Sequence, residues 1–298
     1  MKILLATDGS ECSKGAAKFL TCLNLLPEDE ITVFHAVYWI PFLYDTESYF
    51  ATFREIKKEI APRILDATLE ILKPVHARIS TAIIEGSPEQ AIIEEAARSD
   101  TDLLVMGARG IKGIESLFIG SVTRSVAFKS LKPVIVTKLP VSDNPDKMKI
   151  LFATDGSEYS IATGEFLSKV PFPDGTAVTI LNVMPSEFLD IPETFVPRIN
   201  ERITELMLRT RSHALLAAQR ITDQTRESLG KRFKNINVLS EIGDASSEIL
   251  NTAKRLKTDV IAVGCRGLRG IKGMMGSVSR NVLSHSKCSV LIGKVCEP

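Results

Sequence analysis

The chain has 298 residues, 44% of them hydrophobic and 24% charged, which is ordinary globular usage and excludes a disordered, coiled-coil or fibrous protein. Thirty-seven basic residues against thirty-six acidic ones leave a formal charge of +1, so no broad basic field exists to hold nucleic acid or an anionic membrane. The length suits two domains of roughly 140 to 150 residues, and no apolar run approaches the roughly 18 residues of a membrane span.

In chain order, apolar runs read as strands near residues 2–7, 31–37, 78–84, 102–106 and 133–138. Between them lie helix-period segments. Ala16, Phe19, Leu20 and Leu23 share one face, and Ile92, Ile93, Ala96 and Ala97 share another. Runs such as Leu103-Leu104-Val105-Met106 have no polar alternation, as expected of parallel strands covered on both faces. An aromatic cluster, Trp39, Phe42, Tyr44, Tyr49, Phe50 and Phe53, follows the second strand and reads as a lid, a partner surface or packing against the other half. Leu139 to Lys147, with two prolines and several turn formers, reads as a junction; it sets a linker at 141–147 between domains at 1–140 and 148–298. Strands then recur near 149–154, 177–183, 236–241, 259–263 and 289–293. The segment from about Pro185 to Arg232 reads as one long charged helix with Ile203, Leu206, Leu208, Leu215 and Leu216 as its apolar side.

The two series are copies of one another. Lys2-Ile3-Leu4-Leu5-Ala6-Thr7-Asp8-Gly9-Ser10-Glu11 matches Lys149-Ile150-Leu151-Phe152-Ala153-Thr154-Asp155-Gly156-Ser157-Glu158 at an offset of 147 residues. Later landmarks match at 157: Gly86 with Gly243, Asp102 with Asp259, Gly107 with Gly264 and Gly110 with Gly267. The fold expected is α/β, two tandem doubly wound domains, each with a five-stranded parallel sheet and helices on both faces.

In such a sheet ligands settle beyond the carboxyl ends of the strands, where strand order reverses. The fourth strand of the first copy runs into Gly107-Ala108-Arg109-Gly110, then nine residues, then Gly120-Ser121-Val122-Thr123 at the start of a helical pattern. Glycines let backbone approach a phosphate, and a helix beginning at Ser121 aims unpaired N–H groups at it. The alternative is that Ser121 caps the helix and the glycines only turn the chain. Asp8 likewise has two readings: a carboxylate for a ribose hydroxyl or a metal-bound water, or a cap for the helix after it.

The spacing G-x-x-G, nine residues, G-S, with the Ala6-Thr7-Asp8-Gly9-Ser10 opening, resembles the universal stress protein family, and the resemblance spans both copies. It implies strand order 3-2-1-4-5 in each domain and an adenine nucleotide, ATP first, with or without Mg²⁺. Ala6 and Asp8 would border the nucleotide, Ala36 the adenine, and Met106 and Gly107 would follow the fourth strand. Gly110, Gly120, Ser121, Val122 and Thr123 would cradle the phosphates. It also implies that the fifth strands pair between the halves, and it leaves homodimers of the tandem chain open. The function expected is an ATP-binding regulatory protein of the stress response, against two alternatives: a weak ATPase and a nucleotide-free interaction scaffold.

The second copy departs from the pattern. Gly264-Cys265-Arg266-Gly267 is followed by only eight residues before Gly276-Ser277-Val278-Ser279. Losing about 3.5 Å of extended chain tightens a loop meant to pass over phosphates. Asp155, Gly264, Gly267, Gly276, Ser277 and Ser279 are therefore the weaker candidates, and unequal occupancy is expected.

Cys12, Cys22, Cys265, Cys288 and Cys296 form no C-x-x-C pair, and Asp8 comes too early for a signal-peptide core, so a reduced, cytoplasmic protein is expected. Cys265 has a second reading as a thiol activated by Arg266. The four histidines are scattered, so no metal site is expected. Neither G-x-x-x-x-G-K-[ST] nor G-x-S-x-G occurs, and no general base accompanies the phosphate loop, so any ATP turnover is expected to be slow.

Overall fold

Parallel strands need crossovers, and in each half helical segments supply them, burying both faces of the sheet. The computed structural model describes residues 1–38, 47–110, 119–141, 145–185, 201–268 and 275–295. The first half runs β1 (Lys2–Ala6), α1 (Glu11–Thr21), β2 (Glu30–Val37), α2 (Glu47–Leu72), β3 (Arg78–Glu85), α3 (Pro88–Arg98), β4 (Leu103–Gly107), α4 (Ser121–Lys129) and β5 (Val134–Thr137). The second repeats it as β6 (Lys149–Ala153), α5 (Glu158–Lys169), β7 (Ala177–Met184), α6 (Glu201–Gly230), β8 (Asn235–Ile242), α7 (Ala245–Leu256), β9 (Val260–Gly264), α8 (Ser277–His285) and β10 (Ser289–Gly293).

All ten expected strands form, and they make one sheet in the order β3-β2-β1-β4-β5-β10-β9-β6-β7-β8. Each half therefore has the order 3-2-1-4-5. Pairing is parallel within each half. At the junction β5 and β10 pair antiparallel, with Ile135 opposite Leu291.

Strand alternation sends successive side chains to opposite faces, so each face has its own core. Ile3, Leu5, Val105 and Ile135 pack with Phe19 and Leu20 of α1 and Leu65 and Leu72 of α2. Leu4, Ala6, Met106 and Val136 pack on the other face with Ile92 and Ala96 of α3 and Val126 of α4. Both cores run through into the second half, taking in Phe152 and Leu167 on one face and Ile261 and Val282 on the other.

Two helix faces differ from expectation. In α3 the buried residues are Ala91, Ile92, Glu95 and Ala96, with Ala97 exposed. The Glu95 carboxylate is tolerated there because Arg98 meets it at 2.8 Å. In α6, Leu206, Leu215 and Leu216 are exposed, and Ala218, Thr222 and Leu229 are buried instead. The side chains of Ile203 and Leu208 lie outside the described residues. A helix of 30 residues is about 45 Å long, against about 26 Å for an eight-residue strand, so only its C-terminal part has sheet to lie on. The aromatic cluster from Trp39 to Phe53 also lies outside the described side chains.

Candidate functional site

The order 3-2-1-4-5 reverses direction between β1 and β4, so the segments leaving those two strands face one another. Ala6 pairs with Met106 and with Phe34, which sets the ends of β1 and β4 side by side while β2 runs on past them to Val37. Ala36 lies two residues further along β2. The β4 end approaches α1 so closely that a Cβ on Gly107 would stand 2.5 Å from the Cys12 carbonyl carbon. Gly107 is thus explained by packing alone.

Beyond it, Ala108 N–H donates to Thr137 O, and Ala108 O accepts from Gly120 N–H at 2.9 Å. The second bond closes the loop, so the start of α4 returns to the end of β4. Residues 111–118, and with them Lys112, lie outside the described residues. Gly120 is the N-cap of α4 and Ser121 its first residue, and the cap residue itself offers no side-chain acceptor to the first turn. That excludes Ser121 as the cap. Thr123 is buried, and its hydroxyl donates to Gly107 O at 2.8 Å, so it fixes the helix to the strand. Ser121 is exposed and Val122 half-buried.

Asp8 does not cap α1. Ser10 does, its Oγ accepting from Ser13 N–H at 3.2 Å, and the same hydroxyl donates to Arg109 O at 3.2 Å. The Asp8 carboxylate accepts from Ser10 N–H through Oδ1 and lies against Gly110, where a Cβ would stand 2.4 Å from Oδ2. Gly9, with φ of +82°, turns the chain between them. The loops after β1 and β4 are therefore tied together by the Ser10 hydroxyl, with the Asp8 carboxylate against Gly110.

The second half repeats the pattern. Gly276 N–H donates to Cys265 O at 2.8 Å, Gly276 caps α8, and Ser277 begins it with no side chain in the capping role. Asp155 Oδ1 accepts from Ser157 N–H, and Oδ2 accepts from Leu268 N–H at 3.0 Å, against Gly267. Residues 269–274, the rest of the shortened loop, lie outside the described residues.

Residues 1–138 and 148–294 each match the Universal stress protein family. The chain belongs to the universal stress protein family. A universal stress protein of Methanocaldococcus jannaschii is 33% identical over 143 residues, which is 47% of this chain and 82% of that one. One of Mycolicibacterium smegmatis is 22% identical over 298 residues, 97% of this chain and 96% of that one. In fold, the chain is similar to the crystal structure of a universal stress protein from Archaeoglobus fulgidus, with TM-score 0.63, 21% identity, and 98% and 96% of the two chains covered.

This universal stress protein distinguishes its two loops by their neighbours. In the second half Tyr159 occupies the position of Cys12, and its hydroxyl accepts from Arg266 Nη1 at 2.6 Å with the guanidinium 5.0 Å from the ring centre. The Ser279 hydroxyl donates to Cys265 O at 2.9 Å rather than to the strand-end glycine. Burial pushes the Cys265 thiol up, against the activated-thiol reading.

Sequence reading missed two pairs. His35 Nδ1 meets Thr7 O at 2.8 Å, and Asn182 Nδ2 donates to Thr154 O at 2.8 Å. A carbonyl can only accept, so His35 carries its proton on Nδ1. Both side chains brace the same bend, and their matched positions in the repeat were the available signal. The second pair, Lys138 and Lys294, sits just past the fifth strand of each half.

Proposed function

We propose that this universal stress protein is a cytoplasmic, ATP-binding regulatory protein of the stress response, with the N-terminal half as the surer site. The observation that carries the reading is Gly120. Its φ of −60° suits any residue, and a Cβ there would meet Arg109 Cα, the nearest atom among the described residues, at an ordinary 3.5 Å. Among the described residues, neither backbone conformation nor packing demands a glycine at this position. A serine or aspartate would cap α4 slightly better, by about a few tenths of a kcal/mol, but would use the N–H groups that an anion needs.

The nucleotide fits the groups present. Main-chain N–H groups at the start of α4, with the Ser121 hydroxyl, would hold phosphate oxygens. Thr123 would contribute main chain only, its hydroxyl being committed to Gly107. Ala6, Ala36 and Met106 line the strand ends where the family places the nucleoside, and Asp8, a carboxylate just past the end of β1, would accept from a ribose hydroxyl. Asp155, Gly264, Gly267, Gly276, Ser277 and Ser279 would form the weaker site. No described helix is long and apolar enough to cross a membrane.

The test is to denature gently purified full-length protein and identify the released nucleotide by chromatography, per chain, in wild type and Gly110→Val. ATP in the wild type and its loss in the variant are expected. Wild-type protein that releases no nucleotide and does not respond to added ATP overturns the reading.

A further inference from the structure

The helices α4 and α8 end at the junction of the halves, and each ends under a lysine from the opposite half. Lys294, the residue after β10, donates its ammonium to Ala127 O at 2.9 Å and to Phe128 O at 3.5 Å, in the last turn of α4. Lys138, the residue after β5, donates to Leu283 O at 3.0 Å and Ser286 O at 2.6 Å, at the end of α8. Arg280 of α8 also places its guanidinium 5.4 Å from the ring centre of Phe128 in α4.

Lys294 is only 7% exposed, and a buried ammonium persists only where acceptors replace its water. Here the acceptors are last-turn carbonyls, which have no partner within their helix and form the negative end of its dipole. Burial still tells on both amines, holding Lys138 down to about 8 and Lys294 below the ordinary lysine value. The groups facing them are Cys288 and Arg109 for Lys138, and Cys265 and Arg266 for Lys294. Each lysine also adjoins its own half's loop: Thr137 O accepts from Ala108 N–H, and Gly293 O accepts from Cys265 N–H.

Resting on the reading of the α4 start as the phosphate cradle, we propose that Lys294 and Lys138 are positioning residues for nucleotide, each anchoring the far end of the opposite half's phosphate helix. A nine-residue helix spans only about 13 Å, so an anion at its start and a cation at its end act on one short dipole. Each charge stabilises the other's binding, and that coupling is reciprocal. The N-terminal site is in this way completed by a side chain from the C-terminal half, and the C-terminal site by one from the N-terminal half. This accounts for lysines at matching positions in two halves that differ in their loops.

The test is calorimetric titration of ATP into the full chain, with the N-terminal site assigned by its loss in Gly110→Val. Lys294→Met is expected to weaken that site about tenfold, and Lys294→Arg to restore most of the affinity. Lys129→Met removes a charge from the same last turn, but an exposed one paired with Glu89, and should change affinity less than about twofold. Thermal melting without nucleotide reports whether each variant folds. Lys294→Gln, which keeps a donor for the carbonyls without the charge, replaces the Met variant if that one does not fold. Wild-type binding that is unchanged in the folded Met or Gln variant overturns the positioning role and leaves the nucleotide reading standing. Wild type that binds no ATP overturns both.

Discussion

The carboxylate of Asp155 receives the N–H of Leu268 at 3.0 Å, joining the turn after β6 to the loop after β9. The same side chain accepts from Ser157 N–H at 3.0 Å, so one residue organises two segments more than a hundred positions apart. Asp155→Ala leaves both donors without a protein acceptor. It is expected to cost about 1–3 kcal/mol in chemical denaturation, and Asp155→Asn, which keeps one acceptor oxygen, less.

Gly107 and Gly120 should respond oppositely to the same methyl group. Gly107→Ala drives a Cβ into the Cys12 backbone and is expected to destabilise the N-terminal half by at least about 2 kcal/mol. Gly120→Ala meets only ordinary contacts among the described residues, so melting should change by less than about 1 kcal/mol while ATP affinity falls. Loss of stability without loss of binding in Gly120→Ala would show that the glycine serves the fold.

Unequal occupancy predicts unequal effects of equivalent substitutions. Gly110→Val and Gly267→Val each push a side chain onto the matching aspartate, Asp8 or Asp155. Gly110→Val should remove most of the nucleotide carried per chain, and Gly267→Val little of it. Two nucleotides per wild-type chain with matched affinities would contradict the preference for the N-terminal half.

Lys138 gives a pH dependence of definite sign. Its folded value of about 8 lies below the ordinary 10.5, so between these values the unfolded chain holds the extra proton and stability rises with pH. Cys288 acts oppositely: burial lifts its thiol from 9.0 to about 11, and stability falls over that window. The two nearly cancel above about pH 9, leaving a net gain near pH 8 to 9 of about 1 kcal/mol. Denaturant melts should show this gain near pH 8 to 9 in wild type and no such gain in Lys138→Met, whose stability should instead fall above about pH 9 through Cys288. In Cys288→Ala the gain should continue to about pH 10.5.

Much of the fold was legible because burial on both faces writes itself into each strand as an unbroken apolar run. Leu103 to Met106 and Val134 to Val136 admit few other readings. The phosphate loop was legible through glycine spacing. The α6 face was not: periodicity locates an apolar stripe, but only the length of β8 beneath it decides how much of that stripe is covered. Glu95 escaped because its partner, Arg98, is what makes its burial tolerable. Asp8 was ambiguous because Asp-Gly-Ser supplies two side chains able to cap, and the backbone placed Ser10 there.

The sequence by itself determined that one α/β unit occurs twice, that the order of strands and helices is shared, and that the second loop is one residue shorter. Those properties follow from local patterns and from comparing the chain with itself. Tertiary structure decided that Gly107 serves close packing whereas Gly120 meets only ordinary contacts among the described residues, that Asp155 ties two loops, and that Ser10 and Ser157, not the aspartates, cap the helices. It also decided that Lys138 and Lys294 exchange places across the β5–β10 pair. The reason is physical: each depends on which groups lie within about 3 Å after residues far apart in the chain have met, and neither propensity nor periodicity encodes that distance.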